Sequence, residues 1–506
     1  MIAVILISAG LAYFLSLPFA SVLQGGGYRL SALLRAKRAL VSCAVYFAVS
    51  TTVESIVLYF TDGLVAFAIT AVLYLFTGAF VLYIHRKMRI AMHFTRRLIR
   101  LLIAFVLLYI LLFIGLTFLS MSGLWATTPV IAPFLLMATA CILSPFEKRN
   151  NRRYVQKAAA RFADCSATKI GVTGSYGKTG VKHYLEKLLS VSYVTLVTPE
   201  NYNTPLGIAK TVGEMTGKEE MLVLEMGARR RGDIAELCDI VCPDIGVITG
   251  IAPQHLETFH SIEEIMKEKN VLAERVVKEK TVFYNLTDPL VRKLYEEREG
   301  KKLGVGYKDA EYIISEEHFD NEGSSFVLSD GERCIKVKLP AVGKSCVVNF
   351  ALAAAVSIEC GILWESVAEI ARESYAPAHR FEIVKRGDVT VIDDSYNINP
   401  IGAAAALDSL AAFAGERKVV YTSGIVELGE QEERYNRELG EHLAKVADLA
   451  IVCEGRYGDA IVRGIGNKTK VIRVRDTREA SALFGRVLGK GDVLLIMSDL
   501  PRDYLL

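Results

Sequence analysis

The chain has 506 residues, 52% of them hydrophobic, and a mean hydropathy of +0.31, too apolar for an average soluble enzyme and too charged for a protein built only of membrane spans. Two unlike parts are therefore expected, and a net charge of +3, with no block of basic residues and interleaved aromatics in the polar part, gives no reason to propose nucleic acid as a partner. Nine cysteines without CxxC spacing, Cys238 and Cys242 being the closest pair, suggest buried thiols in a reducing compartment and neither a zinc ribbon nor a disulfide framework.

In chain order, apolar runs at about 1–23, 40–60, 64–84, 100–119 and 125–146 each approach or exceed the roughly 20 residues that a helix needs to cross hydrocarbon. They predict a transmembrane domain of five helices over residues 1–150. The first run has no charged leader or small-residue cleavage site and is read as a span. Ionisable residues within the runs are few, and Glu54 is expected near an edge, at the interface. Basic residues crowd the first connection (Arg29, Arg35, Lys37, Arg38) and the third (Arg86, Lys87, Arg89, Arg96, Arg97, Arg100), while the second and fourth carry almost none. Because Lys and Arg stay on the cytoplasmic side, the N-terminus is expected outside and everything after Pro145 in the cytoplasm; Lys148, Arg149, Arg152 and Arg153 agree.

From about residue 155 the pattern changes to short β-rich runs alternating with amphipathic stretches: KIGVT, TLVTP, MLVLEMG, IGVITGI and TVFYN, then VTVIDD, KVVYTSG, LAIVCEG and DVLLIM. Such alternation predicts βα units around mostly parallel sheets. The segment from Ser374 to His379, containing Pro377, separates the two series and divides a central domain (151–377) from a C-terminal one (378–506).

The strongest local signal is GVTGSYGKT, Gly171 to Thr179, where a strand gives way to a helix. Gly174, Ser175, Tyr176 and Gly177 form a loop whose backbone amides can turn toward a phosphate at the helix N-terminus. Lys178 supplies a charge to the terminal phosphates and the Thr179 hydroxyl can ligate magnesium. Val172 stands where the general P-loop has a glycine.

The form TGSxGKT after a short β-run is that of Mur ligases and folylpolyglutamate synthases, and from about residue 155 to 506 the chain resembles the Mur ligases. The resemblance implies a P-loop central domain with a parallel sheet and a Rossmann-like C-terminal α/β domain, both following the membrane helices. Glu225, ending MLVLEMG, is by itself a strand-end carboxylate; the family places a magnesium-binding Glu here. His255 lies in PQHLETFHS and Lys269 fourteen residues later in IEEIMKEKNVLAE, a stretch that alone reads as a charged helix surface. The resemblance makes Lys269, with Lys267 as the alternative, a lysine that carbon dioxide converts to a carbamate, an oxygen ligand for a second magnesium beside His255. Asn349 in GKSCVVNFALAAA matches the family's Asn near the adenine, whereas Lys344 to Cys346 do not reproduce its His-Asn pair.

Arg380 in APAHRFE and Asp394 in VIDDSYNINP resemble the C-terminal residues that hold the nucleotide, although Asp393, Asp394 and Asn397 also suit a turn. The string DDSYNxNP with Asn397 and Asn399, GIVELGE with Glu427, and ENYNTPLG with Asn201, Asn203 and Thr204 are most like the member that adds D-alanyl-D-alanine to the peptidoglycan stem, which makes these six candidate substrate residues. Two departures limit this: membrane helices occupy the place of the small domain that holds the uridine nucleotide, and MSDLPRDYLL lacks the expected basic ending.

The resemblance therefore implies a membrane-anchored, ATP-dependent amide ligase of the bacterial cytoplasmic membrane, using two magnesium ions and an acyl-phosphate intermediate. It would join an amino acid or dipeptide to a carboxylate held at the membrane, lipid-linked or otherwise, in wall synthesis and within reach of other wall-synthesis proteins. Three other readings stay open: a degenerate ligase acting as a scaffold, a membrane transporter or sensor using the P-loop as a switch, and a ligase for a different amine.

Overall fold

The computed structural model describes residues 2–28, 30, 33, 36–60, 63–87, 92–118, 127–199 and 202–498. Asn201, Arg29, Arg35, Arg89 and the chain end from 499 lie outside the described residues. The chain forms two compact units, one up to Asn151 and the other from Arg152 on.

Five long helices build the first unit: α1 (Ile2–Gly25), α2 (Lys37–Phe60), α3 (Gly63–Lys87), α4 (Arg96–Phe118) and α5 (Ala132–Ala163). All five contain windows long and apolar enough to cross a membrane. These apolar windows carry apolar side chains on more than one face, so burying one still leaves another outward: Phe19, Phe105 and Tyr109 pack inside, while Val49, Leu75 and Leu111 stay exposed. Two findings differ from the expectations. Glu54 is buried among the helices, within electrostatic reach of Tyr74, whose hydroxyl meets Ser8 Oγ at 2.6 Å; hydroxyl-bearing side chains make a polar pocket that an interfacial placement would not need. The last helix also runs on past residue 146 to Ala163, because KAAARFA is strongly helix-forming and Glu147 is held by two bonds from Arg100, at 2.8 and 3.0 Å.

The second unit contains two sheets. The first comprises β1 (Thr168–Thr173), β2 (Thr195–Val197), β3 (Met221–Met226), β4 (Ile245–Ile248), β5 (Val282–Asn285), β6 (Lys302–Gly306), β7 (Tyr312–Phe319), β8 (Ser324–Ser329) and β9 (Cys334–Leu339), in the order β2-β3-β1-β4-β5-β6-β7-β8-β9. Pairing is parallel as far as β7 and antiparallel from β7 to β9. β3 is buried at every residue because helices cover both faces, which is why MLVLEM is a continuous apolar run. In β7 to β9 buried and exposed residues mix, as in EEH and KVK, and this polar half hides them from a search for apolar runs.

The second sheet runs β10-β11-β15-β12-β13-β14, from β10 (Glu382–Arg386), β11 (Val389–Asp394), β12 (Lys418–Thr422), β13 (Leu449–Cys453), β14 (Lys470–Val474) and β15 (Val493–Met497). Only the edge strand β10 is antiparallel. In the first sheet the connections from β1 lead to one side and those from β4 to the other, so a crevice opens at the carboxyl ends of β1, β3 and β4. Thr173, Glu225 and Thr249 stand at that rim.

Candidate active site

The turn out of β1 leads directly into helix α6 (Lys178–Leu189). Gly174 has φ +154° and a side chain there would overlap Thr249 Oγ1; Gly177 has φ +82° and a Cβ would lie 2.7 Å from Asn349 Oδ1. Both positions therefore admit only glycine, which brings the loop backbone against its neighbours. Tyr176 anchors the loop from the other side. Its ring covers Gly250 and its hydroxyl donates to Asp288 Oδ2 at 2.7 Å. The same carboxylate oxygen accepts from Ile251 N at 2.8 Å, and the other caps the helix Pro289–Glu297 through Leu290 N at 2.8 Å. Burial, then the neighbouring Asp288, drives the Tyr176 phenol far above its usual range, so it stays a donor.

Lys178 folds back on this loop, donating to Gly174 O at 2.7 Å, and burial lowers it to about 8, with Glu225 opposing and Arg380 and Lys182 assisting. Glu225 sits at the centre of the rim, 2% exposed. It accepts from Thr179 Oγ1 at 3.1 Å and from Asn203 Nδ2 at 3.1 Å, and pairs with Lys182 Nζ at 3.2 Å. Burial works to raise this carboxyl, but Lys182, Lys178 and the Asn203 amide outweigh it and hold it below the usual range. Thr179 and Glu225 thus offer a hydroxyl and a carboxylate to one point, an oxygen set that suits a hard divalent cation.

Lys182 was not singled out from the sequence, although a residue four places after Lys178 on a helix must share its face. It also donates to Thr198 O at 2.8 Å. Removing one partner of so buried a pair strands the other: Lys182→Met is expected to destabilise the protein by about 3 kcal/mol. Adding Glu225→Gln should recover much of that loss. Thermal unfolding of the single and double variants checks this.

Lys269, in the helix Ile262–Arg275, is 3% exposed and makes no hydrogen bond or ion pair among the described residues. Burial, then Lys178, lowers it to about 7, against Glu268, Asp233 and Glu225, so at neutral pH much of it is an uncharged amine. The adjacent Glu268 is a cap, accepting from Gly232 N at 2.8 Å and Ile234 N at 2.7 Å. Lys267 is exposed and pairs with Glu264 at 3.0 Å, which leaves Lys269 as the lysine on the buried side. His255 follows β4 on the same rim, with its Nδ1 on the Glu427 carboxylate, and it is not among the residues that line the cleft beside the phosphate loop.

That cleft is lined by Ser175 to Gly180, Asn203, Glu225, Cys346, Asn349, Arg380, Asp394, Asn397 and Asn399, among others. Arg380 Nη2 reaches Thr179 Oγ1 at 3.4 Å and its guanidinium lies 4.1 Å over the Tyr396 ring, so a cation from beyond β9 stands at the phosphate loop. Burial raises the Asp394 carboxyl to about 6, against Arg380, and Asp394 Oδ1 accepts from Phe381 N at 3.2 Å. Three residues expected at the substrate also bond elsewhere in the protein. Thr204 caps the helix Pro205–Val212 through Gly207 N at 3.3 Å, Asn399 caps Pro400–Ala412 through Gly402 N at 2.9 Å, and Glu427 is turned to His255. Of these only Asn399 also faces the cleft, since a cap needs its side chain on its own helix.

Residues 172–357 match the Mur ligase middle domain and residues 379–500 the Mur ligase glutamate ligase domain. The chain is similar to a Mycobacterium bovis protein named UDP-N-acetylmuramoyl-tripeptide–D-alanyl-D-alanine ligase, 32% identical over 367 residues that cover 67% of this chain and 71% of the relative. The chain belongs to the Mur ligase family. A Bacillus subtilis protein of the same name is 28% identical, with 67% of this chain and 75% of the relative covered. Among solved structures, the MurF ligase from Thermotoga maritima in complex with ADP is similar with a TM-score of 0.63 and 27% identity, covering 70% of this chain and 81% of that one. This Mur ligase is accordingly an ATP-dependent, ADP-forming acid–amino-acid ligase with a helical N-terminal region ahead of its catalytic domains. In such an enzyme magnesium screens the phosphates of ATP, and Thr179 and Glu225 are the residues that fit it.

Proposed function

We propose that this Mur ligase is anchored in a bacterial cytoplasmic membrane by its five apolar helices and that it extends a wall-precursor peptide at the cytoplasmic face. Convergence of Lys178, Glu225, Lys269 and Arg380 on one rim is the observation that carries the catalytic reading. The acceptor carboxylate attacks the γ-phosphorus of ATP, the bond to the bridging oxygen breaks, and ADP leaves an acyl phosphate. An unprotonated amine then adds to the acyl carbon, and collapse of the adduct expels phosphate and closes the amide. Lys178 and Arg380 offset charge on the phosphoryl group in flight, and Gly174 to Gly177 hold its oxygens with backbone amides. Asn349 lies against the start of α6 and Asp394 in the same cleft, where the nucleoside would sit.

Lys269, a buried amine lowered to about 7 with no hydrogen bond or ion pair among the described residues, is chemically ready to take up carbon dioxide and become a carbamate. The modified side chain would then offer carboxylate-like oxygens to a second magnesium, for which His255 is the other candidate ligand.

The names of the relatives make D-alanyl-D-alanine and a muramoyl tripeptide the first substrates to try. Similarity to them covers 67% of this chain, and the apolar helices fill the stretch before it. A carboxylate on a lipid carrier would share the enzyme's surface, which raises its effective concentration without any new contact. Turnover of a uridine-linked and a lipid-linked tripeptide, each with D-alanyl-D-alanine, measured as ADP release by the full chain in vesicles, tests this reading. The lipid-linked acceptor should give the higher kcat/KM. A strong preference for the uridine-linked one removes the lipid reading and keeps the ligase.

A further inference from the structure

The C-terminal domain reaches across to the loop after β4 at one place outside the nucleotide cleft. Glu427 Oε2 meets His255 Nδ1, and the backbone repeats the connection, with Leu256 N donating to Glu427 O at 2.9 Å. Both residues carry left-handed backbones, φ 54° for His255 and φ 62° for Glu427. Neither is glycine, so each conformation is strained and has to be held by its surroundings. Gly429, φ 59°, brings the same segment to within van der Waals range of Leu256 and Glu257. Arg456, bonded to Glu432 at 2.8 Å, is also within electrostatic reach of Glu257. Two strained residues from separate sheets thus face each other in a contact bonded through side chain and main chain.

An imidazole that gives its Nδ1 proton to a carboxylate is fixed in one tautomer and one orientation, with its Nε2 lone pair available to a cation. We propose that Glu427 is a positioning residue for His255, so that the second cation site is completed only when the C-terminal domain is docked. The inference rests on the reading of His255 as a ligand of that cation.

Manganese, titrated into the full chain in detergent with a non-hydrolysable ATP analogue present and followed by its free-ion resonance, reads the two sites separately. Glu427→Ala is expected to weaken the second site by about 10- to 100-fold and leave the first site and the affinity for the ATP analogue unchanged. Glu427→Gln keeps an acceptor for the Nδ1 proton and should lose clearly less. His255→Ala should lose the second site outright. If His255→Ala removes it and Glu427→Ala does not change it, the positioning role is wrong while the ligand reading stands. If His255→Ala leaves both sites intact, both fail. Equal losses of nucleotide and of both cations in Glu427→Ala, unrelieved in Glu427→Gln, would mean a structural tie between domains and would also overturn the proposal.

Discussion

Lys178→Ala is expected to lower ATP-dependent ligation by about a thousandfold, while thermal stability stays level or rises. The size follows from the role: a preorganised charge aimed at a transferring phosphoryl group, inside a site that excludes water, is commonly worth two to three orders of magnitude. Stability is spared because the protein holds this ammonium at a cost. Burial has lowered Lys178 to about 8, and Arg380 and Lys182 add to the repulsion. An uncharged side chain removes that penalty. ADP release with saturating substrates, read beside a melting curve, checks both halves. An inactive variant that also unfolds early would mean that Lys178 supports the loop and does not act on phosphate. The scaffold reading fares differently, since a protein that only recruits partners loses nothing measurable in nucleotide turnover.

The second large effect is expected at Lys269. Lys269→Ala should abolish most turnover, and the unmodified enzyme should slow in carbon dioxide-free buffer and recover with bicarbonate. Only the free amine attacks carbon dioxide. With the group lowered to about 7, the protonated fraction grows below that pH, so activity should fall as pH drops through 7 and bicarbonate should move that fall to lower pH. Stability changes in the same direction, rising with pH. The unfolded lysine titrates near its ordinary value of 10.5 and the folded one near 7, so folding expels a proton between those values. The penalty is complete below 7 and fades as pH rises toward 10.5, because the unfolded chain then binds no extra proton either. Lys269→Met should therefore be more stable than the parent at pH 7, with the gap closing at high pH. An enzyme indifferent to carbon dioxide across this range would remove the carbamate.

Much of the site was legible because the chemistry is local. GVTGSYGKT places its glycines, Lys178 and Thr179 on consecutive residues, so the backbone geometry that holds a phosphate follows from the turn itself. Glu225 was legible as the end of an apolar run, and burial at every residue of β3 gives that run its physical reason. Some candidate residues also have a structural role that the sequence shows. Thr204 and Asn399 precede proline in NTPLG and NPIG, the ordinary place for a cap, and both act as caps. The hairpins β7 to β9 were missed because half of their residues face water and break the apolar run that marks the buried strands.

By itself the order of residues determined the phosphate loop, the two series of βα units and the five long apolar helices, since each depends on neighbours along the chain and on where apolar side chains recur. Only the tertiary structure decided who meets whom across distance: Lys182 on Glu225, Tyr176 on Asp288, Arg380 on Thr179 and Glu427 on His255. These pairs join residues far apart along the chain, on different elements around one sheet or on different sheets. A charged or polar group there is stable only when burial of the surrounding core has already brought its partner within bonding distance.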